Sequence, residues 1–64
     1  MTGVVVAFDA AAGLGSVASP DGARYLFHCV EIADGTRSID VGTEVSFQPL
    51  PKLGTVEARC LRPR

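Results

Sequence analysis

Short apolar runs, each bounded by glycine, proline or polar residues, recur along the chain and predict strands. Residues 4–6 are three β-branched valines, which pack well on a pleated surface. Residues 44–48 alternate between polar and apolar side chains, which is the period of a half-buried strand. Residues 24–29 form a further strand candidate between two turn signals. Residues 13–16 are rich in glycine and serine, which disfavour a helix there.

The last strand candidate, residues 55–61, alternates in the same way. Val56, Ala58 and Cys60 lie on one face of this predicted strand, and charged residues alternate with them. Because successive side chains of a strand point to opposite faces, we expect Cys60 to be a core position.

Turn residues separate the strand candidates. Residues 20–22, Pro-Asp-Gly, predict a turn, since proline fixes φ and glycine accepts a positive φ. A predicted loop begins at residues 33–36 and runs to Gly42. Pro49 and Pro51 have no N–H to donate, which either ends the fourth strand or confines it to a sheet edge.

Five short strands with glycine-rich turns favour a closed sheet, because closure removes the exposed edges. We therefore predict an all-β fold, a small five-stranded antiparallel barrel that residues 1–64 form as a single domain. A domain of this size buries only about 60% of the surface of its unfolded chain, so we expect no deep catalytic cleft.

Charge is unevenly distributed, although the net charge of the chain is only −1. Residues 1–51 contain two basic and six acidic side chains, whereas residues 52–64 contain four basic side chains and one acidic. Arg59, Arg62 and Arg64 are candidates for neutralising phosphates, each adding about 0.7 to the salt dependence of binding to a single strand. The alternative is that these residues form a solubilising tail.

Several features of the sequence predict a cytoplasmic protein that does not associate with membranes. Two cysteines are too few for a secreted disulfide framework. No lysine or arginine precedes the apolar N-terminal stretch, and Asp9 interrupts it, unlike a signal peptide. No apolar run is long enough to span a bilayer.

The sequence predicts neither an enzyme nor a metal or cofactor site. It contains one histidine, His28, and no nucleophile elbow or phosphate-cradling loop. One histidine and two cysteines without Cys-x-x-Cys spacing do not predict a zinc site. Because His28 and Cys29 are adjacent on a predicted strand, we expect them to face opposite sides, where the imidazole cannot readily activate the thiol.

The order of the motifs resembles the cold-shock domain family over nearly the whole chain. Residues 3–9, Gly-Val-Val-Val-Ala-Phe-Asp, are similar to the family's opening Gly-x-Val-Lys-Trp-Phe-Asn. Residues 12–17, Ala-Gly-Leu-Gly-Ser-Val, and 26–29, Leu-Phe-His-Cys, resemble its ribonucleoprotein motifs, usually Lys-Gly-Phe-Gly-Phe-Ile and Phe-Val-His-Phe. Residues 34–39 and 42–47 resemble its Asp-Gly-Phe-Lys-Ser-Leu and Gly-Gln-x-Val-x-Phe segments. The resemblance implies a barrel of the oligonucleotide-binding kind.

Most of the aromatic residues on which this family stacks bases are absent here. His28 is kept, Phe8 corresponds to the residue after the family's tryptophan, and Arg37 corresponds to a loop lysine. Since each stacked base contributes about 1–3 kcal/mol, the loss of most rings predicts weak binding. The positions that the resemblance matches to missing rings are Ala7, Leu14, Ser16, Leu26, Cys29 and Thr36.

The third strand fits the family pattern in two registers. We expect the register that keeps His28 aligned, in which Leu26 and His28 face outwards and Tyr25 and Phe27 face inwards. A slip of one residue would bring Tyr25 and Phe27 to the binding face and turn His28 inwards, because the side chains alternate.

We predict a cold-shock-like protein that binds single-stranded RNA or DNA weakly and with little sequence preference. For His28 the simpler alternative is a solvated ring without a ligand. The alternative for the whole protein is a protein-interaction module that has lost nucleic-acid binding and contacts a protein partner through an exposed aliphatic face, Val4, Val6, Leu14 and Leu26. The candidate nucleic-acid contacts are Phe8, Leu14, Ser16, Leu26, His28, Arg37 and Arg59.

Overall fold

The computed structural model of the chain, which describes residues 1–33 and 38–64, is built from strands. A single turn of 3-10 helix, Cys29–Glu31, follows the third strand. The all-β fold that the sequence predicts is confirmed. The five strands are β1 Thr2–Asp9, β2 Leu14–Ala18, β3 Arg24–His28, β4 Glu44–Lys52 and β5 Thr55–Pro63.

The strands close into a barrel in the order β1-β2-β3-β5-β4, and β4 returns to β1. The barrel is antiparallel except between β3 and β5, which pair in parallel through Leu26 and Glu57. The predicted five-stranded barrel is thus found, with this one parallel pair among its antiparallel neighbours. A closed ring with an odd number of strands cannot alternate in direction throughout, so one neighbouring pair must be parallel.

A β-bulge divides β1 into two parts. Val5 pairs with Val17, but Ala7 pairs with Ser16, so that Val6 is an extra residue in β1. An extra residue changes which side chains face outwards beyond it. After the bulge Phe8 pairs with Gly15 on the inner face, and its neighbours Ala7 and Asp9 are exposed.

The core takes one or two inward-facing residues from every strand. Phe8, Tyr25, Cys29 and Ile39 are partly buried and pack against it. With so few residues, the small domain depends on its two buried phenylalanines for much of the apolar area that it removes from water. The buried core consists of Val5, Val17, Phe27, Ile32, Val45, Phe47, Ala58 and Leu61.

β4 continues through both of its prolines. β1 pairs only with residues 44–46 of β4, and from residue 48 onwards β4 pairs with β5 alone. Pro49 and Pro51 therefore lie where one side of the strand has no neighbour, and their missing N–H groups leave no ladder bond unmade. The second of the two alternatives, a strand confined to an edge, is the one found.

A second bulge interrupts β5. Ser46 pairs with Arg62 and Gln48 pairs with Arg59, so that one residue of β4 lies opposite two residues of β5. Within this step Cys60 has a φ of 54°, in the left-handed region. The bulge therefore sits at a residue that is neither glycine nor asparagine, at a local cost in backbone energy.

The prediction that Cys60 belongs to the core is wrong. Its side chain is exposed, and the next residue, Leu61, is fully buried. The bulge is the reason, because one extra residue exchanges the inner and outer positions of all that follow. Val56, predicted on the same buried face, is 36% exposed because it lies in the hairpin half of β5, beyond the closed part of the barrel.

Candidate nucleic-acid interface

Strand pairing arranges six of the side chains on the outer surface of β1, β2 and β3 in two rows, and we call these two rows the platform. In one row Ser16 pairs with Ala7 on one side and Leu26 on the other. In the second row Leu14 pairs with Asp9 and with His28. Cross-strand partners lie about 5 Å apart, so each row is one continuous strip of side chains. The platform consists of Ala7, Asp9, Leu14, Ser16, Leu26 and His28.

The accessible part of the platform is mainly aliphatic. Leu14 is 44% exposed and Leu26 is 55% exposed, and His28 beside Leu14 is exposed as well. Ser16, a predicted contact, is only 8% exposed, because Ala7 and Leu26 flank it on the two neighbouring strands. A ligand on the platform therefore meets two leucines and one imidazole before it meets the serine hydroxyl.

Phe8 faces the core rather than the platform. Its ring stacks on that of Phe27, with centroids 6.0 Å apart and planes inclined by 11°. The alternation after the first bulge puts Phe8 opposite Gly15 on the inner side of the sheet. Phe8 was predicted to contact a base. Its ring is only partly exposed, because it already stacks on Phe27 inside the protein.

The third strand adopts the register in which His28 faces outwards. Phe27 is fully buried, and Leu26 and His28 on either side of it are exposed. The Tyr25 ring packs in a tilted arrangement on Phe47, with centroids 5.1 Å apart. β3 therefore places its aromatic rings against the core and leaves an aliphatic residue and a histidine outside.

Cys29 turns away from His28. Its backbone N–H donates to the Gly13 carbonyl oxygen at 2.8 Å, and its half-buried side chain packs against the core. A Cβ atom placed on Gly13 would lie 3.1 Å from the Cys29 Sγ, which shows how closely the thiol approaches that turn. The expectation that the imidazole and the thiol face opposite sides is confirmed.

One carboxylate, Asp9, belongs to the platform, and a second, Glu57, borders it. The Asp9 Oδ1 accepts hydrogen bonds from the N–H groups of Ala11 and Ala12, at 3.0 and 3.2 Å, and so fixes the turn between β1 and β2. Glu57 of β5 pairs with Leu26, along the edge of β3 that faces away from β2. Because like charges repel, a phosphate close to either carboxylate is disfavoured. The two rows therefore do not favour a phosphate.

Arg59 is the predicted contact that the fold places beside the platform. β3 and β5 run in the same direction, and Arg59 follows Glu57 by two residues as His28 follows Leu26. The exposed guanidinium therefore belongs to the outer face next to His28. Arg37, the other predicted basic contact, lies outside the described residues.

The C-terminal arginines belong to the barrel, and the alternative that they form a tail is wrong for Arg62. Arg62 is part of β5 and pairs with Ser46. Arg64 follows the strand, and its backbone N–H donates to the Glu44 carbonyl oxygen at 2.9 Å. The sequence identified these charged residues but did not predict their positions in the fold. The bulge that positions them has no simple sequence signal, because Cys60 is an unusual residue at a positive φ.

A shallow cleft lies at the start of β1, away from the platform. It has a volume of about 230 Å³ and is lined by the first residues of β1 together with parts of the β2–β3 turn and β4. No platform residue lines this cleft. The lining residues are Thr2, Gly3, Val4, Pro20, Glu44 and Arg64.

Comparison with solved structures identifies the fold. A structure of cold-shock domains 4 to 6 of Drosophila Unr superposes on 98% of this chain with a TM-score of 0.78 and 24% sequence identity. The chain has the fold of a cold-shock domain. It spans 26% of the Unr chain. No protein-family model and no curated protein matches the sequence.

No helix in residues 1–33 and 38–64 is long and apolar enough to cross a membrane. The same residues contain no group of three or more histidine, cysteine, aspartate or glutamate side chains arranged to hold a metal ion.

Proposed function

We propose that the protein binds single-stranded RNA or DNA weakly and with little sequence preference, through the platform and Arg59. The observation that supports this proposal is that His28, Leu14 and Leu26 stand exposed and adjacent on the outer face of a cold-shock fold. An imidazole and aliphatic side chains accept the flat face of any base, and Arg59 beside them attracts the backbone.

The absence of most aromatic rings determines the expected affinity for nucleic acid. Each aromatic stack contributes about 1–3 kcal/mol per base, so a platform with one imidazole and no outward-facing tryptophan or phenylalanine should bind with a Kd in the micromolar range. Low specificity follows from the same composition, because aliphatic contacts do not distinguish the hydrogen-bonding edges of the bases. We further propose that the protein is a binding domain rather than an enzyme and acts in the cytoplasm, in keeping with two free cysteines.

The test is a fluorescence-anisotropy titration of the protein into labelled pyrimidine-rich DNA and RNA strands, at low and at physiological salt. We expect micromolar binding that weakens with a slope of about two to three in log K against log salt. The sample is checked for folding by circular dichroism. Absence of binding by a folded sample at high protein concentration and low salt would overturn the proposal.

The exposure of Leu14 and Leu26 also favours a second function, a protein-interaction module. Together with Val4, which is 37% exposed, these residues leave an aliphatic surface on the outer side of β1, β2 and β3. Apolar surface of this kind is the usual core of a protein interface. The two functions differ in the titration above, since an interaction module that has lost nucleic-acid binding gives no anisotropy change with either strand.

A further inference from the structure

We infer that the protein has a second contact surface for the phosphates of a single-stranded nucleic acid, formed by Arg59, Arg62 and Arg64 on the outer side of the β4–β5 ribbon. We call this surface the arginine face. The inference rests on the proposed function and extends it, because it continues the phosphate contacts from Arg59, beside the platform, along β5 to Arg62 and Arg64.

The bulge at Cys60 is what gathers the three arginines. Arg59 and Arg62 are three residues apart, and in a regular strand an odd separation puts two side chains on opposite faces. The extra residue restores them to the same face, with Leu61 between them fully buried. Arg64 lies two residues after Arg62. Its backbone N–H donates to the Glu44 carbonyl oxygen, which continues the pairing of β5 with β4. All three arginines are exposed.

The surroundings of the arginine face suit a phosphate backbone. Arg59 lies opposite Gln48, and Arg62 lies opposite Ser46, which in turn pairs with Thr2 of β1. Hydroxyl and amide groups beside arginines are common donors to phosphate oxygens. Two acidic residues border the face: the Glu44 carbonyl oxygen accepts the Arg64 N–H, and the Glu31 Oε1 accepts the Cys60 N–H at 3.4 Å. In the part of the chain that the structure describes, no hydrogen bond or ion pair occupies the three guanidinium groups.

The spacing supports contact with several phosphates in succession. Side chains two residues apart on a strand are separated by about 7 Å, so Arg62 and Arg64 present two charges in line. The platform offers no such line, because its rows contain Asp9 and meet Glu57. Arg59 lies between the two surfaces, since it belongs to the strand that pairs with both β3 and β4. A strand whose bases contact His28 can thus continue along β5.

The test compares two double variants that remove the same charge at different places. Arg62→Ser/Arg64→Ser removes two charges from the arginine face. Arg24→Ser/Lys52→Ser removes two exposed charges from the start of β3 and the tip of the β4–β5 hairpin. Each is titrated into a labelled DNA strand and into an abasic strand of equal length, across a range of salt. Circular dichroism and thermal melting confirm that the variants fold.

We expect the arginine-face variant to bind both strands on the order of tenfold more weakly at low salt, with a salt slope lower by about 1.4. The loss on the abasic strand identifies the contact as one with phosphates. The matched control should lose much less affinity on both strands. Equal effects of the two double variants, or an unchanged slope for Arg62→Ser/Arg64→Ser, would overturn the inference.

A third variant separates failure of the inference from failure of the proposed function. Leu14→Ala/His28→Ala removes the exposed platform contacts and leaves the arginine face unchanged. If wild type binds and this variant alone loses affinity, the proposed function stands and the arginine face is refuted. If folded wild type binds neither strand, both are refuted.

Discussion

The ring of Phe27 lies directly over the backbone of Gly15. The two residues pair across β2 and β3, and a Cβ atom built on Gly15 would lie 2.5 Å from the Phe27 Cζ. The same Cβ would lie 2.8 Å from the carbonyl oxygen of Ala7. Gly15 thus makes room for the ring, on which Phe8 then stacks, and the glycine of the motif is a packing requirement of this core.

Substitution of Gly15 by alanine should destabilise the fold by about 1–3 kcal/mol, the usual cost of overpacking. Gly15→Ala should cost less when Phe27 is already valine, because valine lacks the ring atoms that the new methyl group meets, although the Ala7 carbonyl oxygen remains. The measurement is a double-mutant cycle in the free energy of unfolding, obtained by urea denaturation.

Gly22 supplies the control for this cycle. It has a φ of 90° and nothing within 4 Å of an added Cβ, so Gly22→Ala carries only a conformational cost. Phe27→Val should show no coupling with Gly22→Ala. Additive effects of Gly15→Ala and Phe27→Val would mean that the ring does not require the glycine.

Restoring rings to the platform should strengthen nucleic-acid binding. Ala7 and Ser16 are cross-strand partners, so Ala7→Trp and Ser16→Phe would place two rings side by side on the outer face. We expect the affinity to rise by about 1–3 kcal/mol for each base that stacks, measured by anisotropy titration. Leu53→Trp is the control, since Leu53 is fully exposed at the tip of the β4–β5 hairpin. An equal gain from the control would refute a base-stacking role for the platform.

The carboxylate of Asp21 should contribute to stability in a pH-dependent way. The Ser19 hydroxyl, and next the backbone N–H of Ala23, donate to this carboxylate and lower the pKa of Asp21. A carboxyl whose pKa is lower in the folded state stabilises the fold above its unfolded-state pKa, near pH 4. That stabilisation is lost as the pH falls through the lower folded-state pKa.

Ser19→Ala should therefore raise the pKa of Asp21 towards its ordinary value, which an NMR titration of the carboxyl carbon measures. Asp21→Asn should remove the pH dependence that this group adds to the free energy of unfolding. An unchanged pKa of Asp21 in Ser19→Ala would show that the hydroxyl is not responsible for the shift.

The positive φ of Cys60 makes this position sensitive to the shape of its side chain. A left-handed conformation costs an ordinary residue about 1–2 kcal/mol and is still less favourable for a β-branched one. Glycine has no such penalty but loses more entropy on folding. We expect Cys60→Gly to leave stability unchanged or raise it by up to about 1 kcal/mol, and Cys60→Val to lower it by about 1–2 kcal/mol. If Cys60→Gly and Cys60→Val unfolded at the same urea concentration, a left-handed backbone at residue 60 would be refuted.

The strands, most of the turns and the outward position of His28 could be predicted from the sequence. The alternation in residues 44–48 and the positions of the prolines and glycines are local signals. They predict strands and turns without knowledge of the tertiary structure. The order of the motifs then placed the third strand in its register. Leu26 and His28 could be assigned to the outer face on that basis alone.

The directions in which Cys60, Arg62 and Arg64 point depend on the folded barrel. Regular alternation from Ala58 onwards would bury Cys60 and put Leu61 outside. The bulge reverses this because β5 must pair with β4 along its length while also closing the barrel against β3. Such an extra residue is fixed by partners distant in sequence, and for that reason the pattern of residues 55–61 could not reveal it.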